Sequence, residues 1–291
     1  MQVHVALAQI QPVTSDKNAN LDKFAEYIER AAEMGAQLVV FPELSLTGYG
    51  CGGAFFEVAE PVPGPSTERI ADLARTHAMH VIWGMPERGL PGVLYNSAVL
   101  VGPERGHIGT WRKHTLPGHA TDLGGPGAFP DRRYFRPGAR SPVFETSIGR
   151  IGIMICYDIF FPEIARLLTL KGADLLVGIS GSPAFERPIF EPLVKARAME
   201  NTTWFAYCNL AGEEKGIAYW GGSRIIGPGD PKTKVPGEPT VCQAPYDAEA
   251  LVSGIVDYDA TDRFRPLFPV LRDLRADMYA QLAAALDESL D

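Results

Sequence analysis

Twice along this chain an apolar strand is followed by an amphipathic helix and then by a second apolar strand, and this repeat limits the fold more than any other feature. In the first pass Val3 to Ile10 reads as a strand. Leu21, Phe24, Ala25, Ile28 and Ala32 then recur at helical spacing, Gly35 is a plausible stop, and Leu38-Val39-Val40-Phe41 forms the next strand. In the second pass Ile151 to Ile155 is a strand, Pro162 to Lys171 carries Ile164, Leu167 and Leu168 at helical spacing, and Asp174 to Ile179 is a strand again. Between them, Ser66 is a good N-cap for a helix with Ile70, Leu73, Ala74 and His77 on one face. Val81 to Met85 and Leu94 to Val101 complete the strands of the first half. The alternation favours an α/β layered architecture over a helical bundle or an all-β sandwich. Periodicity alone leaves open whether the two halves share one sheet or pack as two.

With 291 residues, 46% of them hydrophobic, the chain can bury the core of one large α/β domain. A net charge of -8, without any basic run, argues against nucleic acid and against an anionic membrane surface. No stretch approaches the roughly 18 apolar residues of a membrane helix, and Met1 leads directly into a strand, so a cytoplasmic location is expected. The four cysteines, Cys51, Cys156, Cys208 and Cys242, show neither a C-x-x-C pair nor metal-ligand spacing with histidine. Disulfides, structural zinc and other metals are therefore not expected. Cys208 in Trp204-Phe205-Ala206-Tyr207-Cys208 reads as core, and Cys51 in Gly50-Cys51-Gly52-Gly53 as a loop thiol.

Cys156 carries the chemistry. It ends the apolar run Ile151-Gly152-Ile153-Met154-Ile155, just before Tyr157-Asp158 and the helix that opens at Pro162. A thiol on a rigid strand end, followed by a tight turn with free backbone amides, is placed as an acyl-transfer nucleophile requires. Two other segments belong with it. Leu38-Val39-Val40-Phe41-Pro42-Glu43 puts a carboxylate at a strand terminus, and Trp111-Arg112-Lys113-His114-Thr115-Leu116-Pro117 puts a lysine before a proline that stops a strand.

These segments, in this order, resemble the nitrilase, or carbon-nitrogen hydrolase, superfamily. The matching text is Phe41-Pro42-Glu43-Leu44 with Thr47-Gly48-Tyr49, Arg112-Lys113 with Leu116-Pro117, and Ile155-Cys156-Tyr157-Asp158 with Phe161-Pro162-Glu163. Arg133-Tyr134-Phe135 with Pro137-Gly138, Arg197-Ala198 with Glu200-Asn201, and Gly222-Ser223 extend it, so the likeness runs from about Met1 to Asp259. The resemblance implies a four-layer αββα sandwich of two mixed sheets with helices outside, and a cofactor-free Glu43-Lys113-Cys156 triad in one cleft. In that scheme Glu43 is the acid and base, Lys113 and the backbone amide of Tyr157 hold the oxyanion, and a thioester forms on Cys156. Family members of the amidase branch carry a second glutamate where this chain has Asp131, a shorter residue that could position the substrate amide or hold Lys113.

The expected reaction is hydrolysis of a neutral primary carboxylic amide to acid and ammonia, with Tyr49, Phe55, Phe56 and Phe160 as walls of an apolar pocket. The closest rival is an N-carbamoyl amidohydrolase. Such enzymes place two arginines after the nucleophile where this chain has Ile159 and Phe160, and an apolar pair cannot stabilise a buried carboxylate. A nitrilase is disfavoured because Tyr157-Asp158 replaces that branch's tryptophan-glutamate pair. A Cys-His site lacks a partner motif around His114 and His119. A degenerate, binding-only member is countered by the intact triad. Pro117 to Pro137 is expected to form an ordered loop bordering the site. The domain is expected to span residues 1–265, and the remainder, 266–291, to dock as a helical tail on a second subunit of a homodimer.

Overall fold

The computed structural model describes residues 1–118 and 131–290. The first sheet is built from β1 (Gln2–Gln9), β2 (Leu38–Val40), β3 (His80–Arg88), β4 (Leu94–Gly102) and β5 (Gly106–Arg112). The second takes β6 (Val143–Thr146), β7 (Gly149–Ile155), β8 (Leu175–Ser180) and β9 (Trp204–Asn209). A hairpin of β10 (Ala211–Glu214) and β11 (Ile217–Trp220) follows, then β12 (Arg224–Ile226), the short pair β13 (Gly229–Asp230) and β14 (Val235–Pro236), β15 (Thr240–Gln243) and β16 (Ala250–Asp257). The strand orders are β16-β1-β2-β3-β4-β5 and β15-β12-β9-β8-β7-β6.

Both sheets obey one pairing scheme. An outer strand joins antiparallel to three mutually parallel strands, and two further antiparallel strands complete the sheet. The halves therefore form two packed sheets. Alternate residues of β1 show why: Val3, Val5 and Leu7 pack with Ile151, Ile153 and Val177 of the second sheet. Ala6 and Ala8 point the other way, onto Phe24 and Ile28 of α1 (Lys17–Glu33). The second sheet carries α5 (Pro162–Leu170) and α6 (Arg187–Asn201) through Ala165, Leu168, Phe190 and Val194. The result is the four-layer αββα sandwich. Short helices α2 (Phe55–Val58) and α4 (Asp131–Tyr134), with α7 (Tyr258–Phe264), lie in connections.

Local chemistry explains the elements and some departures from expectation. Helix α1 starts where Asp16 Oδ1 accepts the Ala19 N–H at 3.0 Å and ends before Gly35 at φ 78°. Helix α3 (Pro65–Thr76) has Gly64 as its cap and begins two residues earlier than the Ser66 cap predicted. Pro65 supplies a preset φ at the first helical position, and the N–H of Ser66 donates to Glu60 Oε2 at 2.9 Å. Strand β5 escaped notice because its two glycines dilute the signal. A Cβ at Gly109 would meet the Phe144 ring at 2.2 Å, so glycine there lets the sheets close. Strand β16 pairs with β1 over eight residues although more than 240 positions separate their partners in sequence. Among the described residues no helix is long and apolar enough to cross a membrane.

The predicted loop from Pro117 to Pro137 divides. Asp131–Tyr134 is a helical turn, and 119–130, with His119, lies outside the described residues. After α7 the chain ends in α8 (Ala276–Leu290), exposed along its whole length, with Met278, Leu282 and Leu286 in one stripe.

Candidate active site

Strand β7 delivers Cys156 into a 3-10 turn, Cys156–Phe160, with Cys156 itself at φ 48°. A left-handed conformation at a non-glycine residue costs about 1–3 kcal/mol and persists only where its surroundings enforce it. Asp158 does so. Its Oδ2 accepts the Ile155 N–H and Trp111 Nε1, each at 3.0 Å. Its Oδ1 accepts His114 N–H (3.1 Å), Thr115 N–H (2.9 Å) and Thr115 Oγ1 (2.7 Å). One carboxylate thus fastens the thiol's turn to the segment that follows Lys113.

Glu43 lies three residues beyond the end of β2, within a turn rather than at the strand terminus expected. The turn reaches the cleft because Gly84 of β3 has no side chain: a Cβ there would stand 2.6 Å from the Glu43 Cα. Lys113 follows β5 and is anchored by its own backbone, its N–H to the Asn96 carbonyl and its carbonyl to the Gly138 N–H, both at 2.8 Å. Its ammonium donates to Glu43 Oε1 and to Asp131 Oδ1, both at 2.7 Å. Asn96 of β4 donates to the same two oxygens at 2.7 and 3.2 Å. The other Glu43 oxygen accepts the Gly181 N–H at 2.7 Å, across the sheet interface.

Tyr49, Phe55, Phe56 and Phe160 have different fates. Tyr49 is buried, and its hydroxyl donates to Asp131 Oδ2. Glu214 of β10 holds that loop by accepting the Tyr49 and Gly50 N–H groups, each at 3.0 Å. Phe55 is fully buried against Tyr134 and Phe135, whereas Phe56 is 50% exposed and touches Tyr134 from outside. Phe160 stacks edge-on against Phe190 and lies near the Tyr157 ring. Ile159 is fully buried, and its carbonyl accepts Arg197 Nε at 2.7 Å. Cys208 is core, and Cys51 is buried with its thiol on the Thr47 carbonyl at 3.2 Å.

The electrostatics follow from burial. Glu43 and Lys113 are 0% exposed and Cys156 is 5% exposed, so the thiol is the reacting group that solvent reaches. Burial raises the Glu43 carboxyl above its ordinary value despite Lys113, which makes it a stronger base. Burial opposes the charge on Lys113, yet Asp131 and Glu43 together hold its ammonium well above the usual lysine range. Burial and the negative charge of Glu43 push the Cys156 thiol well up, outweighing Lys113. The Lys113 ammonium draws that value down, but the net direction is upward. A thiol in this state attacks only as its proton leaves, and Glu43 is the base at hand.

Three contributors went unnoticed in the sequence. Asn96 was visible as a polar interruption, Asn96-Ser97, in the apolar run from Leu94 to Val101. Asp158 was read as part of a motif without a task. Glu186, at the end of the 3-10 turn Ala184–Glu186, carries charge toward Cys156, Lys113, Glu43 and Asp131, and no spacing rule points to it.

Comparison with known proteins points to one family. The sequence pattern of the family described as carbon-nitrogen hydrolase matches residues 4–235. A probable nitrilase of Schizosaccharomyces pombe is 32% identical over 97% of this chain and 99% of its own length. An omega-amidase of Xenopus tropicalis is 34% identical over 92% of this chain and 94% of its own. Among solved structures, a carbon-nitrogen hydrolase from Helicobacter pylori G27 superimposes with a TM-score of 0.83 at 26% identity, covering 97% of this chain and 99% of that one.

Proposed function

This chain belongs to the carbon-nitrogen hydrolase family, and on that premise we propose that it is a thiol amidohydrolase that converts a primary carboxylic amide to acid and ammonia. The observation that carries the reading is the fully buried Lys113 ammonium, bonded to Glu43 and Asp131 beside the nearly buried Cys156 thiol. Glu43 takes the thiol proton as Cys156 Sγ attacks the carbonyl carbon. The oxyanion is held by the Lys113 ammonium and the Tyr157 N–H, a donor in the first turn after the strand. Glu43 returns the proton to the amide nitrogen, the C–N bond breaks, and ammonia leaves a thioester on Cys156. Glu43 then deprotonates water, which attacks the thioester and regenerates the thiol. Asp131, fixed by Tyr49, holds Lys113 alongside Glu43. Ile159 and Phe160 offer no cation for the carboxylate of an N-carbamoyl amino acid.

Ammonia release from an aliphatic amide, an aromatic amide, an N-carbamoyl amino acid and a nitrile tests this reading. Turnover of amides alone is expected; turnover confined to the carbamoyl compound or to the nitrile would replace the proposal.

We further propose a cytoplasmic homodimer that α8 joins. The four cysteines are all unpaired, as a reducing compartment keeps them. The stripe Met278, Leu282 and Leu286 is exposed, with no cover among the described residues. Light scattering is expected to give the mass of two chains for the full protein and of one after removal of residues 266–291; two chains in both would sink the tail's role.

A further inference from the structure

The triad and Asp131 leave one carboxylate of the cleft without a task. Glu186 accepts a hydrogen bond from Ser182 Oγ at 3.0 Å, and among the described residues this is its one hydrogen-bond partner. The segment it ends begins at Gly181, whose N–H binds Glu43, so Glu186 stands on the wall of the same cleft. Among the described residues no cation is ion-paired with it. Lys113 is matched by Glu43 and Asp131, and neighbouring Arg187 lies 3.5 Å over the Tyr246 ring and pairs with Glu191 at 3.4 Å.

A second observation lies beside it. Ser180 and Tyr207 are 0% exposed, and their hydroxyls lie against each other and the Cys156 thiol with no further polar partner among the described residues. A buried hydroxyl that has only another hydroxyl and a thiol for company keeps spare donor and acceptor capacity, which a polar ligand group can take up. Burial pushes the Glu186 carboxyl up to about 7, so it is ionised above neutral pH and ready to accept a donor.

Resting on the amidase reading, we propose that Glu186, Ser180 and Tyr207 form a polar acyl subsite that selects amides whose acyl chain ends in an amine, and rejects anionic acyl chains. The apolar pocket that Phe160 is expected to wall is thereby given a charged side. The proposal adds the substrate's charge class to the reaction and leaves the chemistry at the carbonyl unchanged.

Two assays at pH 8.5 test it. In the first, ammonia release is compared for 4-aminobutanamide, butanamide and succinamate. The wild type is expected to favour the aminoamide over butanamide by about tenfold or more in kcat/KM, as a charge-assisted hydrogen bond provides. In Glu186→Gln the ratio should fall to about one, and in Glu186→Lys the order should turn toward succinamate, a gain that a misfolded variant cannot show. In the second, Cys156 is modified with aminoethyl, methyl and sulfonatoethyl methanethiosulfonates, and the modified peptide is quantified by mass spectrometry. The cationic reagent should react fastest in the wild type and lose its lead in Glu186→Gln. Amide turnover with the same charge preference in wild type and Glu186→Gln overturns the subsite and spares the amidase reading. Charge-selective labelling without amide turnover overturns the amidase reading and leaves the subsite standing.

Discussion

Cys156→Ala is expected to abolish amide hydrolysis, with a loss of about 10⁵-fold or more, because the bond-forming atom is gone and the rest of the unit has nothing to activate. The fold should survive. The side chain is small, the turn is held by Asp158 rather than by sulfur, and thiol removal from an apolar site costs on the order of 1 kcal/mol. Single-turnover ammonia release measures the loss, and intact-mass spectrometry of quenched samples should find an acyl adduct on the wild type and none on the variant. Retention of even a hundredth of the wild-type rate would remove Cys156 from the chemistry.

Lys113→Ala should damage both rate and stability. Loss of the ammonium removes an oxyanion donor, for which about 10²–10³-fold in kcat is usual, and it also releases Glu43 from its position. It also leaves Glu43 and Asp131 as two fully buried carboxylates bonded only to neutral donors. Breaking a buried ion pair in this way costs about 3–5 kcal/mol. The pH dependence has a definite sign. Without Lys113, Glu43 titrates still further above its unfolded value, so the folded variant binds a proton that the unfolded chain does not. Its stability is greatest in acid and falls as pH rises through that raised value. The Tm deficit against wild type should therefore be smaller at pH 5 than at pH 8. Alkylation of Cys156 should need a higher pH in the variant, since Lys113 is the group that lowers the thiol's value. An equal Tm deficit at both pH values would show that the two carboxylates are not what the lysine compensates.

How much of this could be read from the sequence depended on distance along the chain. Runs such as Ile151 to Ile155 and the face formed by Leu21, Phe24 and Ile28 announce themselves because their periodicity is local. Glu43, Lys113 and Cys156 were legible because each sits in a distinctive segment of the family pattern, and the structure brings the three segments together. The pairing of β16 with β1, the role of Asn96 between two carboxylates, and the approach of Glu186 were not legible. Each depends on contacts between segments that nothing local records. Phe56 illustrates a different failure: the sequence showed two adjacent phenylalanines, and only the orientation of α2 decides that Phe55 is buried and Phe56 is half-exposed.

Polar cross-links between the two sheets occur where the reaction needs them. Glu43 reaches the Gly181 amide from the first sheet to the second, and Asp158 reaches back to Trp111, His114 and Thr115. Around them the interface is aliphatic, with Val5, Leu7, Ile153 and Val177 meeting through contacts that specify volume more than angle. The two regions thus have separate tolerances. An engineer could trade isoleucine for leucine across the aliphatic layer and change the melting temperature far more than the turnover, while loss of one oxygen at Asp158 would uncouple the thiol from the ammonium in a protein that still melts as one piece.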